Sequence, residues 1–323
     1  MYKEKILNIL RASRSGFLSG EALARKIGVS RTMVWKHIKS LERDGFGIDA
    51  VPSQGYRIVS EPDILRQSEI KAGLKTRVIG KEIHLYPQIS STNTRAMEMA
   101  SDNAPAGTVV IAETQTSGKG RLGRKWISPK GNLYFSVILR PDIPLYRAPL
   151  ITLMGAVAVV SAIRKECQVN AVIKWPNDVL LSGKKVCGLL TEMSAEQDRI
   201  RHIVLGIGVD VNMDPASLPA DVRMVTTSLM SETNKEINRT ALLQEILREL
   251  DHWYQVFLHD SADVLKAWEK LTMTIGCRIA VSGAGEVLEG SAQGVDREGR
   301  LIVKLDDGTT RTVAAGDVTI VKR

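Results

Sequence analysis

Apolar residues recur at helical spacing from the first residues of the chain. Ile6, Leu7, Ile9 and Leu10 share one face of a segment from Lys3 to Ser13, which predicts an amphipathic helix. Ser19 is placed to cap a second helix with Ala22, Leu23, Ala24 and Ile27 on its apolar face, and Gly28 ends it. Ser30 caps a third helix, Arg31 to Arg43, with Val34, Ile38 and Leu41 on one side. The short Gly28-Val29-Ser30 joint predicts a sharp angle between these two helices. The period then changes. Two short alternating segments between Gly45 and Ile58 flank Pro52 to Gly55 and predict a β-hairpin wing. Glu61-Pro62-Asp63 breaks the wing strand and opens a linking stretch, in which Ile64 to Leu74 has helical character.

Beyond residue 80 strands predominate at first: Ile83 to Tyr86, Thr108 to Glu113, Gly131 to Leu139 and Ile203 to Asn212. Two further strands on either side of Gly183 predict a hairpin. The longest apolar run, Leu150 to Ile163, falls short of the ~18 residues of a membrane helix. It contains Thr152, Gly155 and Ser161 and ends at Arg164, Lys165 and Glu166, which suits a buried core helix. Helices Asn238 to Phe257 and Ala262 to Leu271 lead into short strands at Cys277–Val281, Val287–Gly290, Leu301–Leu305 and Val318–Val321. Turns at Asp296 to Gly299 and Asp306-Asp307-Gly308 separate them, and the pattern predicts a small β-barrel.

Composition narrows the class. The 323 residues suggest two or three domains, and 44% hydrophobic with 25% charged residues excludes a disordered chain. Three cysteines, Cys167, Cys187 and Cys277, lack metal-pair spacing and are too few for a disulfide scaffold, so a reduced, cytoplasmic protein without a signal peptide is expected. The net charge of +8 is uneven: residues 1–60 hold 11 Lys/Arg against 5 Asp/Glu. A basic module is drawn to nucleic acid through phosphate neutralisation. Its helix order and wing resemble the winged helix-turn-helix family. The outward third-helix positions Ser30, Arg31, Thr32, Trp35, Lys36 and Lys39 are then the candidate DNA contacts.

Gly118, Gly120 and Gly123 match G-x-G-x-x-G, but a strand-like segment follows where a dinucleotide site needs a helix. A P-loop fails as well, because Arg124-Lys125 follows Gly123. What remains is a loop with four cations, Lys119, Arg121, Arg124 and Lys125, suited to carboxylate and phosphate oxygens. Lys174-Trp175-Pro176-Asn177-Asp178 precedes the hairpin that carries Lys184 and Lys185. Strand alternation turns one of these lysines inward, where it needs an anion. Gly206 and Gly208 interrupt a strand, and either a flat ligand or a packed helix would account for them.

Together these motifs resemble the bifunctional biotin–protein ligases that also repress the biotin operon, and the resemblance spans essentially the whole chain. It rests on Ser90-Ser91-Thr92-Asn93, on Gly118 to Trp126, on Lys174 to Asp178, and on Lys185 with Gly188. The implied fold is α+β and multidomain. A winged helix-turn-helix domain spans 1–62 and a linker 63–80. A mixed α/β catalytic domain like those of class II synthetases and lipoate ligases spans 81–272, and an SH3-like barrel 273–323.

The implied reaction joins biotin to ATP, with Mg2+, as biotinyl-5′-adenylate, then transfers biotin to a lysine of a biotin carboxyl carrier protein domain. The implied partners are that domain, operator DNA and a second copy of the chain, with no membrane and no resident metal. Carried over by motif, Ser91, Thr92, Asn93 and Gln115 would meet biotin's ureido ring, and Gly118, Lys119, Gly120 and Arg121 its carboxylate and the phosphoryl group. Lys185 would touch both carboxylate and α-phosphate and act with Arg121 in catalysis. Gly188, Gly206 and Gly208 would line the pocket, Arg124, Trp126 and Asn177 the nucleotide, and Asp178 the incoming lysine or the magnesium. Two positions depart from the family pattern: Lys119 stands where arginine is common, and Asp210, where asparagine is common, brings a negative charge near the site. A lipoate ligase and a biotin sensor without ligase activity are the alternatives.

Overall fold

A computed structural model describes residues 2–13, 16–197, 199–283 and 286–321 and divides the chain into two compact units, Met1–Ile64 and Leu65–Arg323. The first unit holds α1 (Tyr2–Ala12), α2 (Gly20–Ile27) and α3 (Arg31–Arg43), then the antiparallel strands β1 (Gly47–Val51) and β2 (Gly55–Ser60). Ser19 and Ser30 cap α2 and α3 by accepting the N–H of Ala22 and Met33. Gly28 ends α2 at φ 73°, in the left-handed region where glycine is at ease. Ile6, Leu10, Leu23, Val34, Ile38 and Leu41 form the core. The wing is held by Leu18 and Tyr56, which exchange both backbone hydrogen bonds. Gly55 permits that approach: a Cβ there would lie 2.0 Å from the Leu18 carbonyl oxygen.

The second unit begins with α4 (Gln67–Ala72), β3 (Ile83–Tyr86), α5 (Thr92–Ser101), β4 (Val109–Ala112), β5 (Leu133–Leu139) and α6 (Pro149–Cys167). Then come β6 (Val172–Lys174), β7 (Asp178–Leu181), β8 (Lys184–Glu196), β9 (Arg199–Val209), α7 (Ala220–Arg223), α8 (Leu229–Thr233), α9 (Arg239–His259) and α10 (Ser261–Leu271). The strands pair in the order β3-β4-β5-β9-β8-β7-β6, parallel only between β3 and β4.

Strand alternation sorts the two faces. Val109, Ile111, Phe135, Val137, Leu205 and Ile207 pack with α6 and α9 in the main core. Val110, Ile138 and Val204 turn to the other face and meet Ala96 and Ala100 of α5. Ser136, Gly206 and Gly208 fall on that second face, where α5 begins.

The helix α6 runs 19 residues, beyond the apolar run that predicted it. With the preceding turn it forms a helical segment, Leu145–Cys167, long and apolar enough to cross a membrane, but most of it is buried within the fold.

The stretch expected to link the domains differs from expectation. Its helix shortens to Gln67–Ala72, and Leu65, Ile70 and Ile79 belong to the core of the second unit. The buried Asp251 carboxylate of α9 accepts the N–H groups of Arg77, Val78 and Ile79 at 2.7–2.9 Å. A partner over 170 residues away leaves no local mark in the sequence.

The chain closes with β10 (Arg278–Gly283), β11 (Glu286–Val295), β12 (Leu301–Lys304), β13 (Thr310–Val313) and β14 (Asp317–Ile320). They form a five-stranded antiparallel sheet, β13-β12-β11-β10-β14. The strand β13 was not foreseen, because Thr310, Arg311 and Thr312 are exposed and carry no apolar alternation. Ile279, Val281, Ala292, Leu301, Val303 and Val318 join the main core, and the Trp175 indole N–H donates to the Gly299 carbonyl at 3.1 Å. All three cysteines are free thiols.

Candidate active site

The site lies where α5 meets the second face of the central sheet. Ser91 caps α5, its hydroxyl accepting the Thr94 N–H, and so serves the helix as well as lining the cleft. The next two side chains turn inward. Thr92 donates from its backbone N–H and its hydroxyl to Gln115 Oε1, at 2.8 and 3.1 Å. Asn93 Nδ2 donates to Glu192 at 2.8 Å, and Asn93 Oδ1 accepts the Ser136 hydroxyl at 2.6 Å. Gly206 makes room for this: a Cβ there would lie 1.9 Å from Asn93 Oδ1.

Gly188 and Gly208 are cross-strand partners on β8 and β9. A Cβ on either would lie 2.7–2.8 Å from the Trp126 ring, so the indole rests on a floor of bare backbone. The packed-helix explanation of these glycines therefore holds for Gly206, and a flat aromatic ring, supplied by the chain itself, accounts for Gly208.

The glycine-rich loop is a closed turn. Trp126 N–H donates to the Gly118 carbonyl at 2.9 Å and Gly120 N–H to Arg124 at 2.7 Å. At its tip Leu122 is exposed in the left-handed region at φ 55°. Arg121 points back and donates to Asn177 Oδ1 at 2.9 Å and to the Gly316 carbonyl at 3.2 Å. Arg124 pairs with Asp317 on β14. Asn177 is fixed in turn by its Nδ2 donating to the Leu189 carbonyl.

Of the two hairpin lysines, Lys184 is exposed and Lys185 is the half-buried one. Lys185 Nζ lies 2.6 Å from Asp178 and 5.2 Å from the Trp126 ring centroid. Its backbone is held by Val225 and Thr227. Asp178 also faces Lys174 at 3.4 Å. Lys119 reaches Glu192 at 3.9 Å.

One cleft gathers Ser91, Thr92, Asn93, Gln115, Lys119, Gly120, Arg121, Trp126, Asn177, Lys185, Gly188, Gly206 and Gly208. Three of the expected site residues, Gly118, Arg124 and Asp178, lie off it. Gly118 is buried at the base of the loop, and Arg124 lines an adjoining cleft with Lys125, Asp178, Asp210 and Thr226.

Asp210 is buried just past the end of β9. Its carboxyl accepts from Asn132 at 3.1 Å, and burial pushes its pKa up to about 8, against the lowering pull of Lys185. Burial thus favours its neutral form over the charged one. Sequence reasoning missed Ser128, Ser136, Glu192 and Asp317. Ser136 left a trace as the one small polar residue within the apolar and aromatic run Leu133–Leu139, whereas Asp317 left none.

In the DNA-binding candidate, Arg31, Thr32, Trp35, Lys36 and Lys39 are all exposed on α3. Ser30 spends its hydroxyl on the helix cap, and Lys39 pairs with Glu42 at 2.7 Å.

Comparison with known proteins agrees with this geometry. Residues 3–57 match an HTH domain, residues 85–210 the Biotin/lipoate A/B protein ligase family, and residues 274–321 the Biotin protein ligase C terminal domain. The chain is 38% identical over 315 residues to the Bifunctional ligase/repressor BirA of Bacillus subtilis, covering 97% of each chain. It is 29% identical over 306 residues to the Escherichia coli protein of that name, covering 94% of this chain and 93% of the other. Among solved structures, the biotin protein ligase from Aquifex aeolicus in complex with biotin and ATP superposes with a TM-score of 0.64 at 28% identity, over 75% of this chain and 100% of that one. By its match along nearly its whole length, the chain belongs to the bifunctional biotin ligase/repressor family.

Proposed function

We propose that this chain activates biotin with ATP, transfers it to a lysine of a biotin carboxyl carrier protein domain, and represses transcription through its first unit. One observation carries the ligase reading. A single cleft is lined both by neutral hydrogen-bonding groups, Thr92 and Gln115, and by the cations Lys119, Arg121 and Lys185, with Gly188, Gly206 and Gly208 beside them. Biotin calls for both kinds of group, with a neutral cyclic urea and a carboxylate in one molecule.

In the first step a biotin carboxylate oxygen bonds to the α-phosphorus of ATP, and the bond to the leaving pyrophosphate breaks. Two anions must meet, and cations neutralise both. Lys185 exchanges its Asp178 contact for the carboxylate and α-phosphate, and Arg121 leaves Asn177 for the phosphoryl oxygens. Arg124 and Trp126 bound the nucleotide, and magnesium enters with ATP as part of the substrate. In the second step the carrier amine attacks the carbonyl carbon, AMP leaves, and the amine gives up a proton.

The same reading places the DNA-binding domain at 1–62, with Arg31, Thr32, Trp35, Lys36 and Lys39 facing operator DNA. The catalytic domain is 81–272, the C-terminal sheet is an SH3-like barrel at 273–323, and the protein is cytoplasmic. Holding the adenylate favours a homodimer, and the dimer binds the operator, as a ligand that prefers one state shifts the population.

The first test is the intact mass of an apo carrier domain after incubation with this protein, biotin and Mg-ATP. A gain of one biotinyl group that depends on ATP is expected. No gain, with lipoate accepted in its place or with biotin bound but not transferred, would replace this reading by one of those activities.

A further inference from the structure

Gln115 can be oriented without ambiguity. The Thr92 backbone N–H is an obligate donor, so its partner at 2.8 Å is the carboxamide oxygen. The Thr92 hydroxyl takes up the same oxygen at 3.1 Å. Gln115 Nε2 then faces Ser128 Oγ at 3.0 Å, and the Ser128 hydroxyl donates to the Trp126 carbonyl at 3.1 Å. Ser128 is 8% exposed, and its oxygen is thus the acceptor for one Gln115 amide proton. The second amide proton is left for the cleft that Gln115 lines.

The packing here is tight. A Cβ on Gly118 would lie 2.4 Å from the Trp126 carbonyl oxygen, 2.8 Å from Ser128 Oγ and 3.1 Å from Gln115 Nε2. The stem of the glycine-rich loop, where Trp126 N–H meets the Gly118 carbonyl, is therefore tied through one hydroxyl to a side chain that lines the cleft.

We propose that Ser128 is a positioning residue for biotin recognition: it holds the Gln115 carboxamide so that one N–H points at the ureido carbonyl, and it joins that reader to the loop that covers the reacting end. The proposal rests on the biotin reading above. A cyclic urea presents one carbonyl acceptor between two N–H donors, so a donor with a single fixed direction selects it over ligands without the ring.

The test is biotin-dependent ATP–pyrophosphate exchange by the full chain. Ser128→Ala is expected to raise KM for biotin about fivefold, the effect of one neutral hydrogen bond, with KM for ATP within about twofold. Ser128→Cys, which keeps the volume and weakens the acceptor, is expected to do the same and guards against a packing loss. In combination with Gln115→Ala, Ser128→Ala is expected to add nothing, because it acts through that side chain. Unchanged KM for biotin in Ser128→Ala overturns the proposal. Losses that multiply in the double variant, or KM values for biotin and ATP that rise together, overturn it in favour of a purely structural serine. Absence of biotin-dependent exchange in the unaltered protein overturns the biotin reading itself, before any variant is compared.

Discussion

Lys185 on β8 and Asp210, just past the end of β9 and bonded to the Val186 carbonyl, ask opposite things of their surroundings. Lys185 keeps an anion at 2.6 Å and is held by its backbone on both sides, so it is placed rather than needed for packing. Lys185→Ala should therefore cut adenylate formation by about 10²–10³-fold, the scale of losing one donor to developing charge, with a near-unchanged melting temperature. Near-normal exchange in that variant would remove Lys185 from its role. Asp210 instead is buried beside Asn132, with its pKa raised to about 8 from an unfolded value near 4. The folded state binds the extra proton, so this group's contribution to stability falls as pH rises from about 4 to about 8. Asp210→Asn keeps the acceptor toward Asn132 and removes the titration. Its stability advantage in denaturant unfolding should grow by up to about 1.4 kcal/mol per pH unit across that window and level off above it. A difference that does not vary with pH would show that Asp210 is ionised in the fold. Both residues were legible in the sequence as charges near a site. Their states were not, because desolvation depends on neighbours such as Asn132 that are distant in the chain.

At the scale of elements, α3 separates two roles that its sequence runs together. Ser30 is spent on the cap, whereas Lys36 is exposed. Ser30→Ala should lower the stability of the first unit by about 1 kcal/mol in thermal unfolding. Lys36→Ala should leave melting unchanged, weaken duplex binding and reduce the salt dependence by about one phosphate contact. Equal salt slopes in Lys36→Ala and the parent would take Lys36 off the phosphate backbone. The helices and the wing were readable because Ser19, Gly28 and Ser30 punctuate them locally. The glycine-rich loop was readable as a ligand loop, but its resting contacts were not: Arg121 and Arg124 meet Gly316 and Asp317 nearly 200 residues on.

At the scale of the molecule, the C-terminal sheet is continuous with the core of the second unit rather than a detachable cap. Ile279, Val281, Leu301, Val303 and Val318 are all buried in it. Each contributes about 1.5–3 kcal/mol on burial, against a usual total stability of about 5–15 kcal/mol. A chain ending at Leu271 should lose the cooperative unfolding of the catalytic unit and become protease-sensitive there. A truncated protein that still melts cooperatively and forms adenylate would show the sheet to be dispensable. Coupling between the two functions is a whole-molecule property as well: adenylate should tighten operator binding in a titration, and an unchanged affinity would dissociate repression from ligase state.

What the sequence determined by itself was what local chemistry and period can write. That includes the helix caps, the hairpins, the alternating strands, the basic first sixty residues, and the glycine and cation motifs whose order identifies the family. Tertiary structure alone decided which groups those motifs meet. It set Ser128 against Gln115, Ser136 against Asn93 and Asp251 against the backbone at Arg77–Ile79, and it drew Leu65, Ile70 and Ile79 into the core. The physical reason is that hydrogen bonds and burial act through space at about 3 Å, while sequence patterning records only the neighbours along the chain.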